Sequence, residues 1–108
     1  MQRSFSGQKS YFQIPSQMEK RRSAMHTVRY VLDAAEDGIV PFGDWESGCV
    51  NAALSQMQSG FYEAAIANAS RSLLPEAYRD PHRVANFRKQ PTLKETRQAF
   101  EHLWDDSN

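Results

Sequence analysis

Apolar residues recur at helical spacing along most of the chain, and nowhere do they alternate with polar ones as a half-buried strand requires. After Pro15, Met18, Met25 and Leu32 repeat at intervals of seven, Val28 and Ala35 interleave, and Tyr30 and Val31 widen the stripe. This predicts a helix over 16–37, capped by Ser16 and stopped at Gly38 in a left-handed C-cap. A second helix is expected over 45–58, capped by Asp44, with Trp45, Cys49, Val50, Ala53, Leu54 and Met57 on one side. Ser59-Gly60 breaks it, and a third helix over 61–73 turns Tyr62, Ala65, Ile66, Ala69 and Leu73 inward. Between the first two, the loop GIVPFG is apolar enough at Ile39, Val40 and Phe42 to pack inward. Asp80-Pro81 supplies a natural N-cap and first position for a short helix over 81–88. Thr92 and Glu95 form a capping box for a last helix over 93–104, which presents Leu93, Ala99, Phe100, Leu103 and Trp104.

The fold class expected is therefore all-α: a small single-domain bundle of about four helices around a central helical hairpin. A chain of 108 residues supports one domain. The helical domain spans 16–104, and 105–108 is expected to fray. Residues 1–15 show no helical stripe and read as an irregular N-terminal arm. Phe5, Tyr11, Phe12 and Ile14 make that arm too apolar for a purely solvated tail, so its aromatics should dock on the body or on a partner.

The hairpin from Asp44 to Pro75 resembles one unit of the tetratricopeptide type, with Ala53, Gly60, Tyr62 and Ala65 at family-like spacing and Pro75 closing the unit. The early aromatic and Leu-Gly signature is missing, and no second copy follows at the ~34-residue period that stacked repeats need. One hairpin, rather than a scaffold of repeats, is the expectation.

Charge adds an organisation that hydropathy does not show. The formal net charge is zero, against a protein that coats nucleic acid by total charge. Yet residues 1–30 carry +5, residues 31–70 carry six acids and no Lys or Arg, residues 71–97 carry +4, and the remainder −3. Such alternation implies basic segments folded over acidic ones. Asp33, Glu36 and Asp37 crowd the end of the first helix, where carboxylates oppose its dipole, so a basic segment should compensate them.

No chemistry emerges from the remaining motifs. Cys49, the only cysteine, shares an apolar stripe with Trp45 and follows two acids, which suits an inert buried thiol rather than a nucleophile. It cannot form an intrachain disulfide, which fits a reducing compartment. His26, His82 and His102 lie far apart, and no CxxC occurs, so no metal or other cofactor is expected. Asp33, Glu36 and Asp37 share a face, but a solvated or Arg-paired acidic surface accounts for them. No glycine-rich phosphate loop is present. No apolar run approaches the ~20 residues of a membrane span. The segment before Glu19 is rich in Ser and basic residues, as an organelle transit peptide is; the chain keeps Met1, and the cytoplasm is the expected location.

What remains is binding. One basic cluster lies on the first helix (Lys20, Arg21, Arg22, Arg29), with Arg21 and Arg22 on different sides of it. A second gathers Arg83, Arg88, Lys89, Lys94 and Arg97 with Phe87 interleaved. The expected function is a small non-enzymatic accessory or adaptor protein that binds another protein, one with an acidic surface, through the arm and these basic residues. The alternative is a nucleic-acid-binding regulator using segments 20–29 and 83–97 to contact phosphates and stack a base. Self-association through Met18, Met25 and Leu32 is a further option.

Overall fold

Local capping sets the helix boundaries. The computed structural model describes residues 16–79 and 88–106, and among these it holds four α-helices, one 3-10 turn and no strand. Helix α1 runs Gln17–Glu36, α2 Asp44–Gln58, α3 Tyr62–Arg71 and α4 Leu93–Asp106, with the 3-10 turn at Glu76–Tyr78. The arm, the segment 80–87 and therefore nearly all of the short helix expected over 81–88 lie outside the described residues.

Ser16 opens α1 with a capping box: its Oγ accepts from the Glu19 N–H at 3.2 Å, and Glu19 Oε1 accepts from the Ser16 N–H at 2.9 Å. Thr92 and Glu95 repeat this at α4, at 3.1 and 2.8 Å. Gly38 (φ 75°) and Gly60 (φ 84°) end α1 and α2 in the left-handed conformation that only glycine adopts cheaply. Both ends are Schellman motifs. Gly38 N–H bonds Ala35 O and Ile39 N–H bonds Ala34 O, while Gly60 N–H bonds Met57 O and Phe61 N–H bonds Gln56 O. Asp44 does not cap α2 as expected. Gly43 is the N-cap, its N–H taken by Glu46 Oε1 at 2.8 Å, and Asp44 is the first helical residue.

Helices α3 and α4 each pack against both α1 and α2, which themselves touch little. Polar contacts give the directions. Lys20 meets Glu63, so α3 runs parallel to α1; Arg97 meets Asp33 and Arg21 donates to Leu103 O, so α4 runs antiparallel to α1. The result is a four-helix ring with two distinct ends. One, the loop end, gathers the α1–α2 loop, the C-terminus of α3 and the N-termini of α2 and α4. The other, the arm end, gathers the start of α1 and the α2–α3 turn.

The core holds Met25, Val28, Leu32, Val50, Leu54, Met57, Phe100 and Leu103, and the fully buried Ala53, Ala65 and Ala69 let the α2–α3 hairpin close tightly. All six positions expected on the inner side of α2 are buried. Several others differ. Met18 and Tyr30 are each 66% exposed, because they fall outside the arc of α1 that α3 and α4 cover. Leu73 is exposed because α3 ends at Arg71, two residues early, and Ala99 points outward from α4. In the α1–α2 loop Phe42 packs against the core and Val40 is half-buried, but Ile39 stands 74% exposed. Met25 and Leu32 are buried within the chain, which leaves Met18 alone of the seam considered for self-association on the surface.

Candidate partner-binding surface

The loop end is built on the first turns of α2. Glu46 is buried there, with a side chain 6% exposed, and Arg79 reaches it at 2.7 Å with a side chain 13% exposed. Every polar atom of the carboxylate is used: Oε1 takes the Gly43 N–H and Oε2 the Arg79 guanidinium. Arg79 also donates from Nε to Leu74 O at 3.1 Å, and its guanidinium lies 5.1 Å from the Trp45 ring centroid. Trp45 in turn donates its indole N–H to Arg71 O at 3.4 Å. A buried carboxylate is tolerated only when paired and hydrogen-bonded in this way.

Beside this pair, Asp44 Oδ1 accepts from the Gln90 N–H at 3.0 Å, and the Ser47 hydroxyl donates to Pro91 O at 2.5 Å. Asn51 extends the network, donating to Ser47 Oγ at 3.1 Å and to the fully buried Thr96 hydroxyl at 3.0 Å. The chain therefore leaves α2 at Arg79 and returns to it at Gln90. Both departure and return are pinned to the same turn, Asp44–Ser47. Arg88 and Lys89, just before the return, are exposed.

Over this base lies a cleft of about 500 Å3. Its walls are Val40 and Pro41 from the α1–α2 loop, Leu73, Leu74 and Pro75 from the chain after α3, and the Trp45–Glu46–Arg79 group. Exposed Ile39 and Tyr78, each 74% accessible, adjoin the wall residues in sequence. Leu73 and Leu74 in the wall are 40% and 37% exposed, so the large apolar side chains at this end stand partly in solvent.

The other candidate cations are placed unevenly. Lys20 is half-buried and 3.5 Å from Glu63, and Arg21 donates to Leu103 O at 3.3 Å. Arg22 and Lys94 are exposed. Arg97 is the hub of the acidic end of α1, at 2.9 Å from Asp33, 3.7 Å from Glu36 and 2.9 Å from Glu101. Arg29 joins at 3.7 Å from Asp33. This is the basic compensation that the crowded carboxylates required. Burial alone would lower the Arg97 pKa, but the hydrogen bond to Asp33 and the charges of Glu36, Asp33 and Glu101 outweigh it and hold the guanidinium above its ordinary value. A raised pKa contributes stability at every pH below the ordinary value and loses it only as pH rises through the folded one, so this cation stays charged at neutral pH. Arg97→Met is expected to cost about 1–2 kcal/mol, since the network is partly solvated, and less in 1 M salt. A urea melt at two ionic strengths measures both.

Arg83, Phe87, Phe5, Tyr11, Phe12 and Ile14 lie outside the described residues. Cys49 is buried. Among the described residues no group of three or more His, Cys, Asp or Glu is placed to hold a metal ion, and no helix is long and apolar enough to cross a membrane. The sequence reading missed the Glu46–Arg79 pair, the Ser47–Asn51–Thr96 network and the cleft itself. Polar residues on the apolar stripe of α2 were the available signal. Compared with known protein families, curated proteins and solved structures, the chain matches none.

Proposed function

We propose that this is a small non-enzymatic accessory or adaptor protein that works by binding another protein at the loop end. The observation that carries this reading is the cleft in which Val40, Pro41, Leu73, Leu74 and Pro75 stand over the Trp45–Glu46–Arg79 group, with Asp44 and Glu76 also in its lining. Exposed Ile39 and Tyr78 beside it supply the large side chains that dominate interface energetics. Arg88 and Lys89, held near its base by the Asp44–Gln90 bond, add positive charge that suits a partner with an acidic rim. A buried lone thiol fits a reducing compartment, and we place the protein in the cytoplasm on that ground.

The test compares proteins recovered from native lysate by the full chain and by two variants, Leu74→Asp and Arg88→Glu/Lys89→Glu, with and without nuclease. Leu74 and both cations are exposed, so neither variant should lower the melting temperature by more than a degree or two. A stoichiometric protein that resists nuclease, is lost with Leu74→Asp and is weakened roughly tenfold, about 1.4 kcal/mol, by the charge reversal is the expected result. Recovery of nucleic acid that disappears steeply between 50 and 200 mM salt would instead establish the regulator reading. Two internally paired cations, Lys20 and Arg97, weigh against that outcome.

A further inference from the structure

Lys20, Arg79 and Arg97 commit their charges within the fold. At the loop end three charges are left over. Among the described residues, the side chains of Glu76, Arg88 and Lys89 are exposed and enter no ion pair. They belong to opposite walls of the cleft. Glu76 lines it from the chain after α3, together with Leu73, Leu74 and Pro75. Arg88 and Lys89 lead into Gln90, whose N–H is bonded to Asp44 in the wall that also holds Val40 and Pro41. Asp44 offsets one of those two cations, and Glu46 and Arg79 neutralise each other. One wall is therefore net positive and the other net negative. The exposed apolar side chains divide in the same way: Ile39 adjoins the first wall, and Leu73, Leu74 and Tyr78 go with the second.

We propose that a second copy of this chain covers the loop end, in a two-fold contact that masks the cleft until another protein takes it. A surface pairs with its own copy about a two-fold axis only when it is self-complementary, residue i meeting j while j meets i. Rotation about an axis through the cleft mouth sets each wall against the opposite wall of the other copy. Glu76 of each copy then faces Arg88 and Lys89 of the other, and Ile39 faces Leu73, Leu74 and Tyr78. Each set of contacts forms twice. A rim of one sign would repel its own copy; a rim divided in sign attracts it. The formal net charge of zero removes the general repulsion between copies as well. Few large apolar side chains take part, so the contact falls in the small, transient class of interfaces, below about 1,200 Å2, and yields to a better-matched protein. The inference rests on reading the loop end as a protein-binding surface, and adds what occupies that surface when no other protein is present.

Sedimentation equilibrium of the full chain, from about 1 to 300 µM, tests it. The average mass is expected to rise with concentration from that of one chain toward that of two. Glu76→Lys and Arg88→Glu/Lys89→Glu should each weaken association about tenfold. The triple variant that combines them exchanges the signs of the two walls and should restore it. All three positions are exposed, so an unchanged melting transition shows that the fold is intact. Ile39→Asp, also at an exposed position, should abolish association without touching those charges. A chain that stays monomeric throughout would overturn the proposal. So would a dimer indifferent to these changes, or charge reversals that the triple variant does not rescue. Failure here is separable from failure of the adaptor reading. A monomer that still recovers a nuclease-resistant protein, lost with Leu74→Asp, removes the self-contact alone; a rescued dimer that recovers no protein from lysate leaves the self-contact standing and removes the adaptor.

Discussion

Phe100→Ala is expected to remove about 3–5 kcal/mol of folding stability. Phe100 is 1% exposed and is among the largest fully buried side chains. It is packed at 5.6 Å against the Trp104 ring, with the Arg97 guanidinium 5.6 Å from its centroid. Truncation leaves a cavity where α4 meets the α1–α2 core, and the neighbours cannot collapse into it without moving a helix. Domains of this size have about 5–15 kcal/mol in total, so the variant should unfold at a much lower urea concentration. Ala99→Ser, one position away and exposed, should change stability by no more than about 0.5 kcal/mol. A Phe100→Ala loss under 1 kcal/mol would mean that α4 folds apart from the rest. The functional consequence runs through position: α4 begins where Pro91 and Thr96 are tied to Ser47 and Asn51, so loosening it loosens the loop end.

Arg79→Ala should cost about 3 kcal/mol, because it strands the Glu46 carboxylate in a buried site where, among the described residues, the Gly43 N–H is its remaining partner. The pair itself need not stabilise the fold relative to apolar residues; the damage comes from leaving one charge behind. The double change Glu46→Gln/Arg79→Met removes both charges and should recover most of the loss. Denaturation of the single and double variants decides the point. If the double variant is no better than Arg79→Ala, the guanidinium acts through its stacking on Trp45 and its bond to Leu74 rather than through charge. The double variant also loses the pin at Arg79 while keeping the Asp44–Gln90 bond. Partner binding that falls while stability recovers would therefore show that the pair's purpose is to position the loop end.

The two helix ends at Gly38 and Gly60, and the capping boxes at Ser16 and Thr92, were readable because each depends on residues within four positions of one another. The inner side of α2 was readable for the same reason. The errors have more than one cause. Met18 and Tyr30 fit the periodic stripe, but periodicity defines an apolar face without saying how much of it a neighbour covers, and Leu73 fits it only if α3 continues past Arg71, where it ends. Asp44 looked like a cap because acids favour that position; its carboxylate instead reaches a backbone N–H 46 residues away. Of the candidate binding residues, Arg97 was singled out for its charge alone, and only its contact with Asp33, 64 positions distant, shows that charge to be committed within the fold.

The sequence by itself determined the four described α-helices, the capping boxes of α1 and α4, the glycine ends of α1 and α2, and the rule that basic blocks must meet acidic ones. These follow from local backbone geometry, from side-chain spacing along one helix, and from the cost of uncompensated carboxylates at a helix C-terminus. Tertiary structure alone decided which charges meet and which apolar residues remain outside. It placed α3 and α4 between α1 and α2, gathered the α1–α2 loop and residues 72–79 and 88–92 at one end, and sank Glu46 beneath Arg79. Those outcomes depend on contacts between residues 33 to 64 positions apart, whose pairing is set by how four apolar faces close around a shared core.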